Sequence, residues 1–207
     1  MKKFILIALM FFGSLALYAQ AASLEEVCKS LASRPNTTGE FVQIKTLNAN
    51  GRQLKSFGTF IISTEEILWK TEKPFPSSLI LTKDAMVQIA ANGKRSVMDG
   101  KDNQIFANIS ETLSSVFSGN VDQLKKNFEC DFEGEDTLWK ITLKPKDSTI
   151  ASVMNFLELG GSLEGGLAAL DYLEMNEASS NKIRYEFANQ KYPKELSADE
   201  KTNFIFE

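Results

Sequence analysis

The chain has 207 residues and a formal net charge of −4, with 27 acidic residues, 23 basic residues and no histidine. The absence of histidine excludes His-based catalytic triads, histidine metal sites and the usual acid–base catalyst of neutral pH. A negative chain without a long basic run is a poor partner for nucleic acid, because lysine and arginine must neutralise the phosphates.

An export signal is predicted at the N-terminus. Two lysines precede an apolar segment at residues 4–17, which is too short to span a bilayer comfortably. Ala19 and Ala21 then supply the small residues that a signal peptidase reads. We therefore expect residues 1–21 to be a cleavable signal peptide, and residues 22–207 to be an exported, soluble, single domain. The alternative is an uncleaved N-terminal anchor.

The two cysteines, Cys28 and Cys130, form a candidate disulfide, since an even pair in an oxidising compartment often becomes bonded. The long loop between them would give a stabilisation of roughly 4–5 kcal/mol in the chain-entropy model. Two unrelated buried thiols are the alternative, and the sequence leaves both open. Cysteines so far apart make no standard zinc cluster, and the chain has no P-loop or G-x-G-x-x-G motif. We therefore expect neither a metal nor a cofactor.

The first hundred residues of the chain predict one helix followed by a β-meander. Ser23 and Glu26 form a predicted capping box, and apolar residues recur at helical spacing behind it. Alternating apolar and polar residues then predict strands, with Asn-Gly turns at residues 50–51 and 92–93. The apolar residues of the first helix are Leu24, Val27, Cys28 and Leu31.

A helical segment interrupts the strands in the middle of the chain. Its apolar residues are spaced for one face of a helix, Gly119 ends it, and residues 121–128 predict a second short helix. Strands resume in "TLWKITLK" and "NKIRYEF", each with one apolar and one polar face. Residues 152–175 fit a helical hairpin or two strands, and their glycine-rich turns favour strands. The helical stripe consists of Ile105, Ile109, Leu113, Val116 and Phe117.

These elements predict a mainly β fold of the α+β class. The long antiparallel sheet would curl into an unclosed barrel, with an N-terminal helix and the mid-chain helices as a lid over its concave face. Because the concave face and the lid are both apolar, imperfect filling would leave a hydrophobic cavity, with residues 57–81 as its floor. A fully filled β core is the alternative.

The order of elements and several motifs resemble the periplasmic outer-membrane lipoprotein carriers of the LolA type. The motifs are "GEFVQ" at residues 39–43, the glycine strand "GTFII", Trp69 five residues before Pro74, and "VFSGNVDQLKKNFEC" followed by "WKITLKPKD". The resemblance implies a periplasmic, monomeric carrier. Such a carrier takes acyl chains from an inner-membrane ABC-type transporter or lipid exporter, shields them, and delivers them to an outer-membrane acceptor.

The predicted ligand-binding residues lie in the sheet and in the lid. The resemblance carries over Phe41 and Gln43 from the F-x-Q motif of the family. It also carries over an aromatic residue in the glycine strand and a tryptophan on the cavity side. Inward-facing strand residues and the apolar stripe of the lid complete the set. The predicted cavity and lid residues are Phe41, Phe60, Ile62, Trp69, Leu79, Leu81, Ile109, Leu113 and Phe117.

Two features differ from the well-known members of that family. Ser63 stands where they carry an arginine that helps to latch the lid, and the chain ends at "TNFIFE" without their C-terminal segment. The "VFSGN" segment is similar to that of LolA-related proteins associated with lipid exporters. Lipoproteins and other lipids therefore both stay open as cargo.

Two other functional classes are open from the sequence. One is a non-enzymatic periplasmic assembly or interaction protein with a filled β core. The other is an enzyme such as a lipid hydrolase, but no nucleophile–base pair is visible. We expect no enzymatic activity.

Overall fold

The computed structural model of the protein describes residues 22–64, 66–82, 85–99 and 104–204, without the side chains of residues 99 and 104–110. The predicted signal peptide lies outside these ranges, so its cleavage stays a prediction. Within the described ranges, no helix combines the length and the apolar character that a membrane span requires.

The described chain alternates between groups of strands and short helices. In chain order the elements are α1 (Leu24–Ala32), β1 (Asn36–Thr46), β2 (Gln53–Ser63), β3 (Ile67–Lys73), β4 (Ser77–Leu81), β5 (Ala85–Ile89), β6 (Arg95–Asp99), α2 (Gln104–Phe117), α3 (Val121–Asn127), β7 (Phe128–Glu135), β8 (Leu138–Pro145), α4 (Ser148–Ala151), β9 (Met154–Glu164), β10 (Leu167–Glu177), β11 (Lys182–Lys191) and α5 (Ala198–Thr202).

The strands form one antiparallel sheet in the order β6-β5-β4-β3-β2-β1-β11-β10-β9-β8-β7. The edge strands β6 and β7 are not paired with each other, so the sheet is not closed. Side chains from β3 to β6 and from β9 to β11 nevertheless line one cavity, which requires a strongly curved sheet. The predicted fold, a curved unclosed antiparallel sheet with a helical lid, is therefore confirmed.

The capping box of the first helix is present. The Ser23 amide donates to Glu26 Oε2 over 2.9 Å, and the Glu26 amide donates to Ser23 Oγ over 3.2 Å. The apolar face of α1 is buried, and the Ala168 amide in β10 donates to Ser30 Oγ over 2.8 Å. These contacts fix α1 against the sheet, where it also packs against α2 and α3.

The glycine-rich segment forms the strands β9 and β10, as predicted. Gly165 and Gly166 connect them with φ angles of +57° and +80°. Two successive positive φ angles match the twist of a hairpin turn, and glycine adopts them without steric cost. This turn chemistry therefore decides between the two interpretations of residues 152–175.

Three elements differ from the sequence-based expectations, and one of them is the short helix α4, which was not predicted. The predicted helix at residues 121–128 ends at Asn127, and Phe128 begins the strand β7. The four acidic residues of β7 lie on its exposed face, where Lys140 pairs with Glu133 at 2.8 Å. Their charge hid the alternation of the strand in the sequence. The short helix α5 was also not predicted, although it has a capping box of its own.

The sheet is covered on both faces in its first half. The main core lies on the concave side with α1, α2 and α3. A second, smaller core contains alternate residues of β2 to β5, and Leu196 and Phe204 near the C-terminus pack against it. Because side chains alternate across a strand, this cluster lies on the opposite face from the main core. Burial on both faces explains why residues 57–81 are so rich in apolar side chains.

Candidate functional site

A cavity of about 380 Å³ lies between the two halves of the sheet and the helix α2. Its volume falls in the range of roughly 300–1,000 Å³ that is typical of small-molecule sites. No charged side chain among the described residues lines it, and most of this described wall is aliphatic or aromatic. The lining residues are Trp69, Leu79, Leu81, Met86, Met98, Thr112, Leu113, Met154, Leu157, Leu173, Met175, Ile183 and Tyr185.

Methionine is concentrated in this cavity. All four methionines of residues 22–207 line it, each on a different strand. An unbranched thioether side chain changes rotamer easily and fills irregular gaps. The wall can therefore adapt to apolar ligands of different shape. These methionines are Met86 on β5, Met98 on β6, Met154 on β9 and Met175 on β10.

An aromatic group forms one side of the cavity. The ring centroids of Trp69 and Tyr185 are 5.9 Å apart, although the two residues belong to β3 and β11. Phe41 meets Tyr185 edge-on at 5.6 Å, and Phe187 stacks on it at 6.5 Å. Burial raises the pKa of Tyr185 to about 12, so its hydroxyl stays neutral at physiological pH. The group is thus aromatic and uncharged.

Trp69 carries a polar atom without a partner at this site. Its Nε1 is buried and makes no hydrogen bond to any residue that the structure describes. Trp139, the other tryptophan, is buried as well, but its Nε1 donates to the Ser162 carbonyl over 3.1 Å. The two indoles of the protein therefore differ in whether the fold satisfies them.

The structure places seven of the nine predicted ligand-binding residues in two separate spaces. Trp69, Leu79, Leu81 and Leu113 line the main cavity. Phe41 packs against Tyr185 behind the cavity wall, and the side chain of Ile109 lies outside the described residues. A second gap of only about 10 Å³ is lined in part by Phe60, Ile62 and Phe117. Ligand contact by any of these residues stays a prediction.

Sequence reasoning missed every lining residue that comes from β9, β10 and β11. Ile183 and Tyr185 do share the apolar face of "NKIRYEF", and Leu173 and Met175 alternate in the same way on β10. That alternation gives the face of each residue. It does not give the register that brings β10 and β11 opposite β3, so the signal was present but incomplete.

Ser63 has a turn-forming role in the structure. Its Oγ donates to the Glu66 carbonyl over 2.9 Å and accepts from the Glu66 amide over 2.9 Å. These bonds close the connection between β2 and β3. The position at which the resemblance implies an arginine latch is thus occupied by a residue that shapes a hairpin.

The two cysteines are free thiols in the structure, and the disulfide stays a prediction. Cys28 is fully buried and Cys130 is half-buried. Burial raises the pKa of Cys28 to about 12, and the nearby Cys130 opposes its charge further. Burial also raises the pKa of Cys130. Both groups are therefore protonated and poor nucleophiles at neutral pH.

We expect iodoacetamide to modify Cys28 of the reduced protein at about pH 8 only after unfolding, because the thiolate is the reactive form. A pKa raised to about 12 keeps the thiol protonated in the fold, and unfolding returns it to its ordinary range. Mass spectrometry of native and urea-unfolded samples would locate the alkyl groups. Rapid alkylation of Cys28 in the native protein would contradict the buried placement of α1.

The sequence model described as "Outer membrane lipoprotein carrier protein LolA" matches residues 35–202. The chain belongs to the LolA family. The match extends from the start of β1 to the end of α5, so it covers the whole sheet and α2. No curated protein sequence gives a significant match to the chain.

Solved structures similar to this LolA family member come from several bacteria. An uncharacterized conserved protein from Thermus thermophilus has 9% identity and a TM-score of 0.50, over 86% of this chain and 90% of that chain. A LolA superfamily protein from Nitrosomonas europaea has 7% identity and a TM-score of 0.45, over 86% of this chain and 97% of that chain. Lipoprotein LppX from Mycobacterium tuberculosis has 11% identity and a TM-score of 0.46, over 84% of this chain and 96% of that chain. At such identity the Thermus protein supports the fold alone.

Proposed function

We propose that this protein is a periplasmic carrier that shields the acyl chains of a lipoprotein or another lipid. The carrier takes them from an inner-membrane ABC-type transporter or lipid exporter and passes them to an outer-membrane acceptor. The observation that carries the proposal is the apolar, methionine-rich cavity of about 380 Å³. Membership of the LolA family supports the same function.

The hydrophobic effect supplies enough affinity for this role. Each buried CH₂ group contributes about 0.8 kcal/mol, so about ten of them contribute ~8 kcal/mol, which corresponds to a dissociation constant of about 1 μM. The attraction is not directional. Release therefore needs a competing apolar acceptor rather than a chemical step, which fits the proposed non-enzymatic role.

The helix α2 is the proposed lid. It brings Thr112 and Leu113 to the cavity, and it packs against α1, α3 and α4. Glu111 ties it to α3 by accepting from Gln123 Nε2 over 2.6 Å and from Asn127 Nδ2 over 3.0 Å. We expect α2 to move when an acyl chain enters, with these exposed hydrogen bonds as the contacts that can break at low cost.

The domain organisation belongs to the same proposal. Residues 1–21 direct export and are removed, and residues 22–207 act as one carrier domain. A carrier that works in the periplasm needs this export, because both of its proposed partners face that compartment.

Organic extraction of the protein purified from periplasm tests the proposal. We expect mass spectrometry of the extract to find a lipid or an acylated peptide, which would also name the cargo class. The control is protein that is made in the cytoplasm without residues 1–21 and then delipidated. It serves as the empty form in the uptake experiments with a fatty-acid probe. An empty protein that takes up no fatty-acid probe would contradict the proposal and favour the interaction protein. Turnover of a lipid ester would contradict the non-enzymatic role.

A further inference from the structure

The unpartnered indole N–H of Trp69 indicates what kind of group the cavity ligand carries. Trp69 is only 8% exposed, and its Nε1 has no hydrogen-bond partner among the described residues. A buried donor left unpaired costs more free energy than an ordinary hydrogen bond gains. Trp69 belongs to the cavity lining, so a ligand whose entry shifts the flexible side chains around the indole can bring the missing acceptor.

The surroundings of Trp69 offer little that could take this role. Its neighbours across the strands are Phe60 and Leu79, which have no acceptor atoms in their side chains. The ring centroid of Tyr185 lies 5.9 Å from that of Trp69, but the Tyr185 hydroxyl makes no hydrogen bond to the indole. The backbone carbonyls nearby are used in the ladders with β2 and β4. Trp139 is also buried and does find a carbonyl, so the unpaired state is specific to Trp69 among the two described indoles.

The chemistry of the cavity limits the kind of acceptor. The lining side chains that the structure describes carry no charge, so a carboxylate or a phosphate would be desolvated beside them without a counterion. A neutral carbonyl is a strong acceptor and costs far less to bury. Ester and amide carbonyls stand directly at the head of the acyl chains of lipoproteins, phospholipids and glycolipids.

We propose that Trp69 donates a hydrogen bond from Nε1 to the ester or amide carbonyl of a bound acyl chain. This inference rests on the proposed carrier function and deepens it, because it adds a requirement for a carbonyl group at the head of the bound chain. Alkyl ethers of the same length have only a weak acceptor at that place. The carbonyl also sets how deep the chain enters, since it must lie within hydrogen-bond distance of the indole.

A pair of matched lipids tests the inference. Palmitoyl lysophosphatidylcholine and its hexadecyl ether analogue share headgroup and chain length, and they differ in one carbonyl. We expect the delipidated wild-type protein to bind the ester about 3- to 10-fold more tightly in calorimetric titrations, the range of one neutral hydrogen bond. The Trp69→Phe protein should bind the ester and the ether about equally, a ratio of about 1, because it has no indole N–H. Its binding of the ether should still be measurable.

Two further proteins make the test independent of folding effects. Replacement of Trp69 by its benzothienyl analogue keeps the shape of the ring and exchanges the N–H for sulfur, and it should also lose the preference. Trp139→Phe removes the other buried indole N–H, away from the cavity, and should keep the wild-type ratio.

The possible outcomes distinguish a failure of the Trp69 hydrogen bond from a failure of the proposed carrier function. Equal binding of both lipids by the wild type would overturn the role of Trp69 and leave the carrier proposal standing. A preference that persists in the benzothienyl protein would overturn it as well. If the wild type bound neither lipid, the carrier proposal would fall together with the inference.

Discussion

We expect the substitution Leu113→Asp to weaken the uptake of apolar ligands strongly. Leu113 is 4% exposed and reaches the cavity from the lid helix α2. An aspartate there must either bury an unpaired charge or stay protonated, and both are unfavourable beside an apolar ligand, since the described lining offers no charged partner. We expect binding of a fluorescent fatty-acid probe to weaken by more than about 10-fold, which is ~1.4 kcal/mol or more.

Leu138→Asp is the matched control for this substitution. It makes the same chemical change at the first residue of β8, where the side chain is 54% exposed and does not line the cavity. Its probe binding should equal that of the wild type. If Leu113→Asp fails to fold by circular dichroism, Leu79→Asp tests the cavity at a half-buried residue. A folded Leu113→Asp protein with normal binding would contradict the assignment of α2 to the site.

Gly161→Ala should cause a large loss of stability. A Cβ atom at Gly161 would overlap the carbonyl oxygen of Ala169 on the paired strand and the ring of Trp139. Neither is the free end of a flexible side chain, so the sheet itself must shift. We expect a loss of about 3 kcal/mol, which for a protein of this size lowers Tm by about 6–12 °C.

Gly166→Ala separates this clash from ordinary backbone effects. Gly166 has a φ of +80°, and no atom lies within 4 Å of the point where a Cβ would stand, so its substitution meets strain but no collision. Its cost should be only about 1–2 kcal/mol, as for any left-handed residue with a side chain. Thermal unfolding followed by circular dichroism compares the two. Equal Tm values for both variants would show that β9 and β10 are not packed as described.

The architecture was predictable because its signals are local. The capping box of α1 and the glycine turn between β9 and β10 each lie within a few residues of sequence. The unclosed sheet follows from alternating strands around one helical interruption. β7 was missed for an equally local reason, since its acidic face masked its apolar face.

The composition of the cavity was much less predictable. Trp69 and Leu79 were found because they lie on inward faces of a strongly apolar segment. Phe60 and Ile62 share that face but lie beside a gap that packing has almost filled. Which inward residues border the larger space depends on the curvature of the sheet and on contacts such as Trp69 with Tyr185. Contacts between strands so far apart in the chain leave no local trace in the sequence.

Photo-crosslinking tests the central claim, that acyl chains enter this cavity, most directly. A lysophospholipid with a diazirine near the end of its acyl chain would be bound to the delipidated wild-type protein, irradiated and mapped by peptide mass spectrometry. The account predicts labels on peptides that contain Met154, Leu173 or Met175, and competition by unlabelled lipid. Labels confined to the exposed tip at Phe75, or no labels that unlabelled lipid removes, would contradict it.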